Sequence, residues 1–169
     1  MKKVLLSAAV MIGFATAANA QATASATASA VIITPITITK TVDMNFGNVA
    51  VAGTQGTVVM TPAGVRSSTG GVTLPATTGT PAAAAFTVSG EATYTYAITL
   101  PSAPLTISSG ANTMTVDNFV SNPGNTGTLS TGTPGTQTLN VGATLNVGAS
   151  QAAGTYISAT PFDVTVNYN

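Results

Sequence analysis

Apolar and polar residues alternate along most of this chain with a period of two, the repeat of a strand with one buried face. No window places apolar side chains at i, i+3, i+4 and i+7 without a Gly, a Pro or a β-branched run interrupting it. The pattern predicts strands over residues 22–33, 36–42, 56–61, 83–89, 92–100, 103–108, 112–120, 136–147 and 155–168. Thr and Val dominate these stretches, as suits a pleated, half-buried surface. Between them lie clusters with tight-turn chemistry: Pro62-Ala63-Gly64, Ser109-Gly110-Ala111-Asn112 and Asn122-Pro123-Gly124-Asn125. Many short strands joined by such turns predict an all-β fold, a two-sheet β-sandwich.

Three stretches say more than their period. From Ala22 to Ala30 the chain alternates Ala with Thr or Ser, then runs through Val31, Ile32 and Ile33 to Pro35. Ala26, Ala28, Ala30 and Ile32 fall on one face of this segment, and two readings of it are open. It is either a first strand or leader of its own domain, or a donor strand that completes the sheet of a neighbour by strand addition. The small Ala side chains count against the donor, since bulky residues fill a groove better. The stretch Glu91–Leu100 sets Tyr94, Tyr96 and Ile98 on one face, the pattern of a core strand. Aromatics two apart also line sugar-binding surfaces, but without a Trp packing is the better reading. The C-terminal run places Phe162, Val164, Val166 and Tyr168 on one face, with Pro161 ahead of them marking a bend or bulge. An edge left open along this last strand is the expected groove for the donor.

The start of the chain adds a compartment. Lys2 and Lys3 precede an apolar run from Val4 to about Ala17, and Ala18-Asn19-Ala20 precedes Gln21. This is the layout of a secretory signal peptide cleaved after Ala20. Its apolar run is shorter than the roughly 20 residues of a membrane-spanning helix, and no stop-transfer segment follows. The expected organisation is a signal peptide at 1–20, an extended N-terminal strand at 21–35 and one domain at 36–169, secreted or held at the cell surface. Without the signal, Lys40 and Arg66 stand against Asp43, Glu91, Asp117 and Asp163, a formal charge of 2 minus 4, or minus two. That balance gives no footprint for nucleic acid or an anionic membrane. With charged residues at 5%, the surface must consist largely of Thr, Ser, Asn, Gln and Gly, which favours assembly over a dispersed monomer. The C-terminal aromatic also suggests a small outer-membrane barrel, but eight aromatics beyond residue 20 and no Trp do not make its girdles. No integral membrane segment is expected.

Candidate chemistry is sparse. The chain has no His and no Cys, so neither a disulfide nor a thiolate metal site is available. The four carboxylates beyond residue 20 are separated by 48, 26 and 46 positions, so no local acid pair, metal cluster or triad is drawn. No calcium loop of the D-x-[DN]-x-[DN]-G kind is present. Neither enzymatic activity nor a cofactor or metal is expected. Leu74–Gly79 resembles a sortase signal but has an extra Thr and sits in mid-chain, so it reads as a loop. Arg66, the sole arginine, is expected to tie down a loop carbonyl or pair with an acid rather than bind a ligand.

Met44-Asn45-Phe46-Gly47, the stretch from Thr61 to Leu74, that from Ala84 to Pro101, Asn112–Phe119 and Gly154–Asn169 together resemble a family of exported bacterial β-domains, domain of unknown function 4402. The resemblance covers residues 40–169, and a more distant likeness extends to spore coat protein U and the archaic chaperone-usher pilins. It implies an incomplete immunoglobulin-like, pilin-like sandwich closed by a strand from a chaperone or a neighbouring subunit. The implied role is a structural subunit of a surface fibre or fimbria, with self-association or a periplasmic chaperone and usher as partners. The chain departs from many pilins in lacking a cysteine pair. The rival expectation is a secreted monomeric binding module for glycans or a host protein. That module would be a closed sandwich with residues 22–33 paired inside it and an exposed, ligand-sized cleft.

Overall fold

The structure is a computed structural model that describes residues 21–169, so the expected signal peptide, residues 1–20, lies outside the described residues. The chain divides into two units, one ending at Ile32 and the other running from Ile33 to Asn169. In the first unit, residues 21–32 are irregular and exposed throughout. The strand expected at 22–33 therefore does not form. Its alternation is real, but Ala and Ser offer little surface to bury, and no ladder partner satisfies its backbone.

The second unit is all-β, with no helix among the described residues. Eleven strands form: β1 (Thr37–Val42), β2 (Ala50–Met60), β3 (Arg66–Thr73), β4 (Ala84–Gly90), β5 (Thr95–Thr99), β6 (Leu105–Ser109), β7 (Asn112–Asn122), β8 (Thr126–Thr128), β9 (Gly135–Val147), β10 (Ile157–Ser158) and β11 (Thr165–Tyr168). They make two sheets. The larger runs β1-β4-β9-β7-β6-β10 with the β2-β3 hairpin also on β9, and the smaller runs β11-β5-β8.

Strand β9 organises the larger sheet. Leu139, Val141, Ala143, Leu145 and Val147 are buried on its inner face, while Thr136 and Thr138 are exposed on the other. On one edge it pairs first with β4, from Gly135 to Val141, and then with β2, from Ala143 to Val147. Gly142 sits at the handover, where a Cβ would lie 2.2 Å from the carbonyl oxygen of Met60. Only glycine lets the end of β2 come this close. The opposite edge of β9 pairs with β7, whose register shifts between Asp117 and Val120, the local signature of a bulge.

The core falls into two clusters. In the first, Phe86 and Val88 of β4 and Leu139 and Val141 of β9 pack against Tyr96 and Ile98 of β5, Val166 of β11 and Leu129. This cluster lies between the two sheets. The second cluster comprises Val58, Val72, Val116, Ala143, Leu145 and Val147, all from the larger sheet. No residue of the smaller sheet joins it. Met44, Phe46, Val49 and Val51, from the segment between β1 and β2 and the start of β2, pack against it instead.

Several expected strands are corrected. Strand β3 was not expected, as its Ser, Thr and Gly residues carry no apolar alternation; strand β2 starts at Ala50 rather than 56. The short β8 also carried no strand pattern. The stretch 92–100 begins its ladder only at Thr95, because residues 91–94 form a turn with Thr93 at φ 67°. Tyr94 is thereby left exposed while Tyr96 and Ile98 are buried. The single strand expected at 155–168 is two: β10 pairs with β6 in the larger sheet and β11 with β5 in the smaller. The chain changes sheets through the segment that holds Pro161, the bend that proline foretold.

Candidate functional site

A clasp of three hydrogen bonds, two of them to Thr34, holds the chain just beyond the exposed segment. The Thr34 N–H donates to Glu91 Oε2 at 2.9 Å, and the Tyr168 hydroxyl donates to the Thr34 carbonyl at 2.7 Å. The Glu91 N–H in turn donates to the Tyr168 hydroxyl oxygen at 2.6 Å. The Thr34 backbone bond holds the Glu91 carboxyl below its ordinary value, with only a small opposing effect of desolvation. Gly90 makes room for this clasp, since a Cβ there would lie 2.2 Å from the Tyr168 hydroxyl oxygen. The ring of Tyr94 stands edge-on to that of Tyr168 at 5.7 Å.

Tyr168 is the last of the four residues expected to line a groove. The structure places Phe162, Val164, Val166 and Tyr168 inward, alternating with the exposed Asp163, Thr165 and Asn167. Phe162 packs between Phe119, at 5.0 Å, and Phe86, at 6.4 Å. Val166 belongs to the first core cluster and the half-buried Val164 packs against it. Strand β11 is an outer strand of its sheet, paired with β5 along one edge only. Of the expected donor residues, Ala26, Ala28, Ala30 and Ile32 are all exposed, Ile32 at 96%.

A cleft of about 1120 Å³ opens over the second core cluster. Its floor is the inner face of the larger sheet, with Leu105, Ile107, Met114, Val116, Leu145 and Val147. Its walls are residues 42–51 on one side and 151–158 with Pro161 and Phe162 on the other. Leu105, Ile107 and Met114 point inward yet stay half-buried, because no second sheet covers them. Lys40 and Asp43, the charges lining the cleft, are bonded to each other at 2.6 Å.

Arg66 fixes one wall. Its Nη1 donates to the carbonyls of Phe46 and, at 3.1 Å, of Asn48, the loop-tying role expected for it. Gln151 donates to the Tyr156 hydroxyl at 2.8 Å, and that hydroxyl donates to the Ala152 carbonyl at 2.7 Å, which folds the opposite wall on itself. Among the described residues, no three His, Cys, Asp or Glu side chains gather into a possible metal site. No helix among the described residues is long and apolar enough to cross a membrane.

Sequence reasoning missed both the clasp and the cleft. The clasp joins residues 57, 77 and 134 positions apart. Beside the cleft β10 and β11 part company, a split that the sequence marks only by Pro161 and a change in the phase of its alternation there.

These features define an all-β domain of two sheets whose core is covered by both sheets at one end and by one at the other. The chain belongs to the family described as domain of unknown function (DUF4402), whose model matches residues 36–168. No curated protein and no solved structure matches the chain.

Proposed function

We propose that this chain is a structural subunit of a bacterial surface fibre or fimbria, exported by its signal peptide and assembled by β-strand addition through its N-terminal segment. The scaffold in this reading is an incomplete immunoglobulin-like, pilin-like sandwich. One observation carries it: residues 21–32 have the alternation of a strand and no charge, yet they are exposed and form no ladder. A segment of this kind gains its backbone partners and buries its apolar face when it joins another sheet. The unpaired edge of β11 and the half-covered core supply places for such an addition.

The test compares residues 21–169 with residues 33–169, which keep the Thr34 clasp, by size-exclusion chromatography and electron microscopy. Ladders or fibres from the longer chain that vanish with the shorter one support the subunit. Folded monomers from both contradict it and favour the second reading, a secreted binding module for glycans or a host protein. The cleft is the observation in favour of that module.

A further inference from the structure

We infer that the outer face of the larger sheet, at Gln55, Thr57, Thr69 and Asn146, binds a neutral, extended glycan chain. The inference goes beyond the assembly proposed above, because this site lies on β2, β3 and β9 and uses neither residues 21–33 nor β11. It also lies apart from the cleft, whose floor is the inner face of the same sheet.

The registers build the site. Thr57 of β2 pairs with Asn146 of β9 beside the Val58-Leu145 pair, which is buried on the inner face. Side chains alternate along a strand, so Thr57 and Asn146 face out. The same ladder continues on both sides into a row across five strands: Thr69, Thr57, Asn146, Thr115 and Thr106. Every member is exposed or half-buried. A depression of about 340 Å³ takes in the first three members together with Gln55, Gly56 and Gly70. Gln55 reaches it from an irregularity in β2, whose register against β3 shifts between Val51 and Gly56.

The chemistry of the lining selects the ligand. Among the described residues, no charged or aromatic side chain lines the depression. An anion or an ammonium finds no counter-charge there, and an acyl chain would leave amides and hydroxyls without partners. The Thr57 and Thr69 hydroxyls lie 2.7 Å apart; one proton serves that contact, so the other hydroxyl keeps its own to donate. Asn146 donates from Nδ2 to Thr115 at 3.4 Å and keeps Oδ1 to accept. The Gln55 amide offers a donor and an acceptor side by side. Neighbouring hydroxyls on a sugar ring present the matching set, since each donates and accepts. Asp117 stands two residues along β7 from Thr115 and pairs with Thr144 on the same face. Its charge turns away an acidic polymer and leaves a neutral one unopposed.

The row sets the ligand's shape. Neighbouring strands lie about 4.8 Å apart, so the five side chains span roughly 19 Å across the sheet. A linear glycan laid along the row meets a fresh hydroxyl or amide at each strand, whereas a single sugar uses the depression alone.

Titration calorimetry of residues 21–169 tests the site with cellohexaose, mannohexaose and N-acetylchitohexaose, and with the acidic hexagalacturonate. At least one neutral hexasaccharide is expected to bind in the millimolar range or tighter, and the acidic one is not. Gln55→Ala and Asn146→Ala are each expected to weaken binding by roughly fivefold, the worth of one net hydrogen bond. Two variants keep the test standing if one fails to fold, which circular dichroism reveals. No binding by any of the three neutral probes overturns the proposal, as does equal binding of hexagalacturonate. Binding that Ile107→Ala on the cleft floor removes, and that both site variants keep, places the glycan in the cleft and also overturns it.

Discussion

The hydroxyl of Tyr168 donates to the carbonyl of Thr34 at 2.7 Å across 134 positions of sequence. The end of the chain thereby fixes the point from which the exposed N-terminal segment departs. The same hydroxyl accepts the N–H of Glu91, whose carboxylate accepts the N–H of Thr34, so both peptide groups of that exit point depend on one aromatic residue. Tyr168→Phe removes two of the three bonds and keeps the ring packed on Tyr94. At about 1 kcal/mol for each net hydrogen bond, the substitution is expected to cost roughly 2 kcal/mol. Urea unfolding checks it, with a lower midpoint at an unchanged slope.

Glu91 gives the clasp a pH dependence. Its folded value is depressed because the ionised form accepts the Thr34 N–H. The unfolded chain therefore takes up the proton first as the pH falls, so the contribution is present above the ordinary value of 4.5 and lost as the pH falls through the depressed one. Amide exchange at Thr34 is expected to be slow and pH-independent in its protection near neutrality, and to lose that protection under acid. Glu91→Gln should remove the acid dependence; the same acid-induced loss in that variant would show that another group is responsible.

Gly142 tests the handover of β9 from β4 to β2. A Cβ there meets backbone, at 2.2 Å from the Met60 oxygen, so no side-chain rotation relieves it. Gly142→Ala is expected to destabilise the domain by about 1–3 kcal/mol, the range for forcing extra atoms into a packed interior. Gly53→Ala is the control: nothing lies within 4 Å of its Cβ, and its unfolding midpoint should barely move.

Arg66 holds the wall of the cleft through two carbonyls on the segment between β1 and β2. Arg66→Ala is expected to cost about 1.5–3 kcal/mol, as for a hydrogen-bonded charge, and to raise amide exchange selectively in residues 44–49. Arg66→Lys should recover only part of the loss, because an ammonium lacks the planar fork of the guanidinium. Full recovery with lysine would mean that charge alone positions the wall.

How much of this was legible in the sequence depends on which physical term set each feature. Strands such as β4 and β9 were readable because Phe86, Val88, Leu139 and Val141 repeat at period two and are buried. Arg66 was readable because a lone cation in a neutral stretch has few partners besides carbonyls. Strand β3 was not, since its pairing with β2 rests on backbone and on hydroxyls such as Thr57 and Thr69, 2.7 Å apart, rather than on apolar period. The segment 22–33 misled in the opposite sense: its period is strict from Ala22 to Ala30, but period alone forms no strand without a partner edge. The cleft was not read because the only local marks of the split, Pro161 and the change of phase from Ile157 and Ala159 to Phe162, Val164 and Val166, foretell a bend without telling that the two halves lie in different sheets.

The central claim, that this chain assembles by inserting its N-terminal segment into another copy, is tested most directly by Ile32→Asp in residues 21–169, viewed by electron microscopy beside the unchanged chain. Ile32 is 96% exposed, so the substitution leaves the folded domain intact, which circular dichroism verifies. A buried unpaired carboxylate is costly enough to block insertion. The account expects fibres from the unchanged chain and folded monomers from the variant. Fibres from both would contradict it.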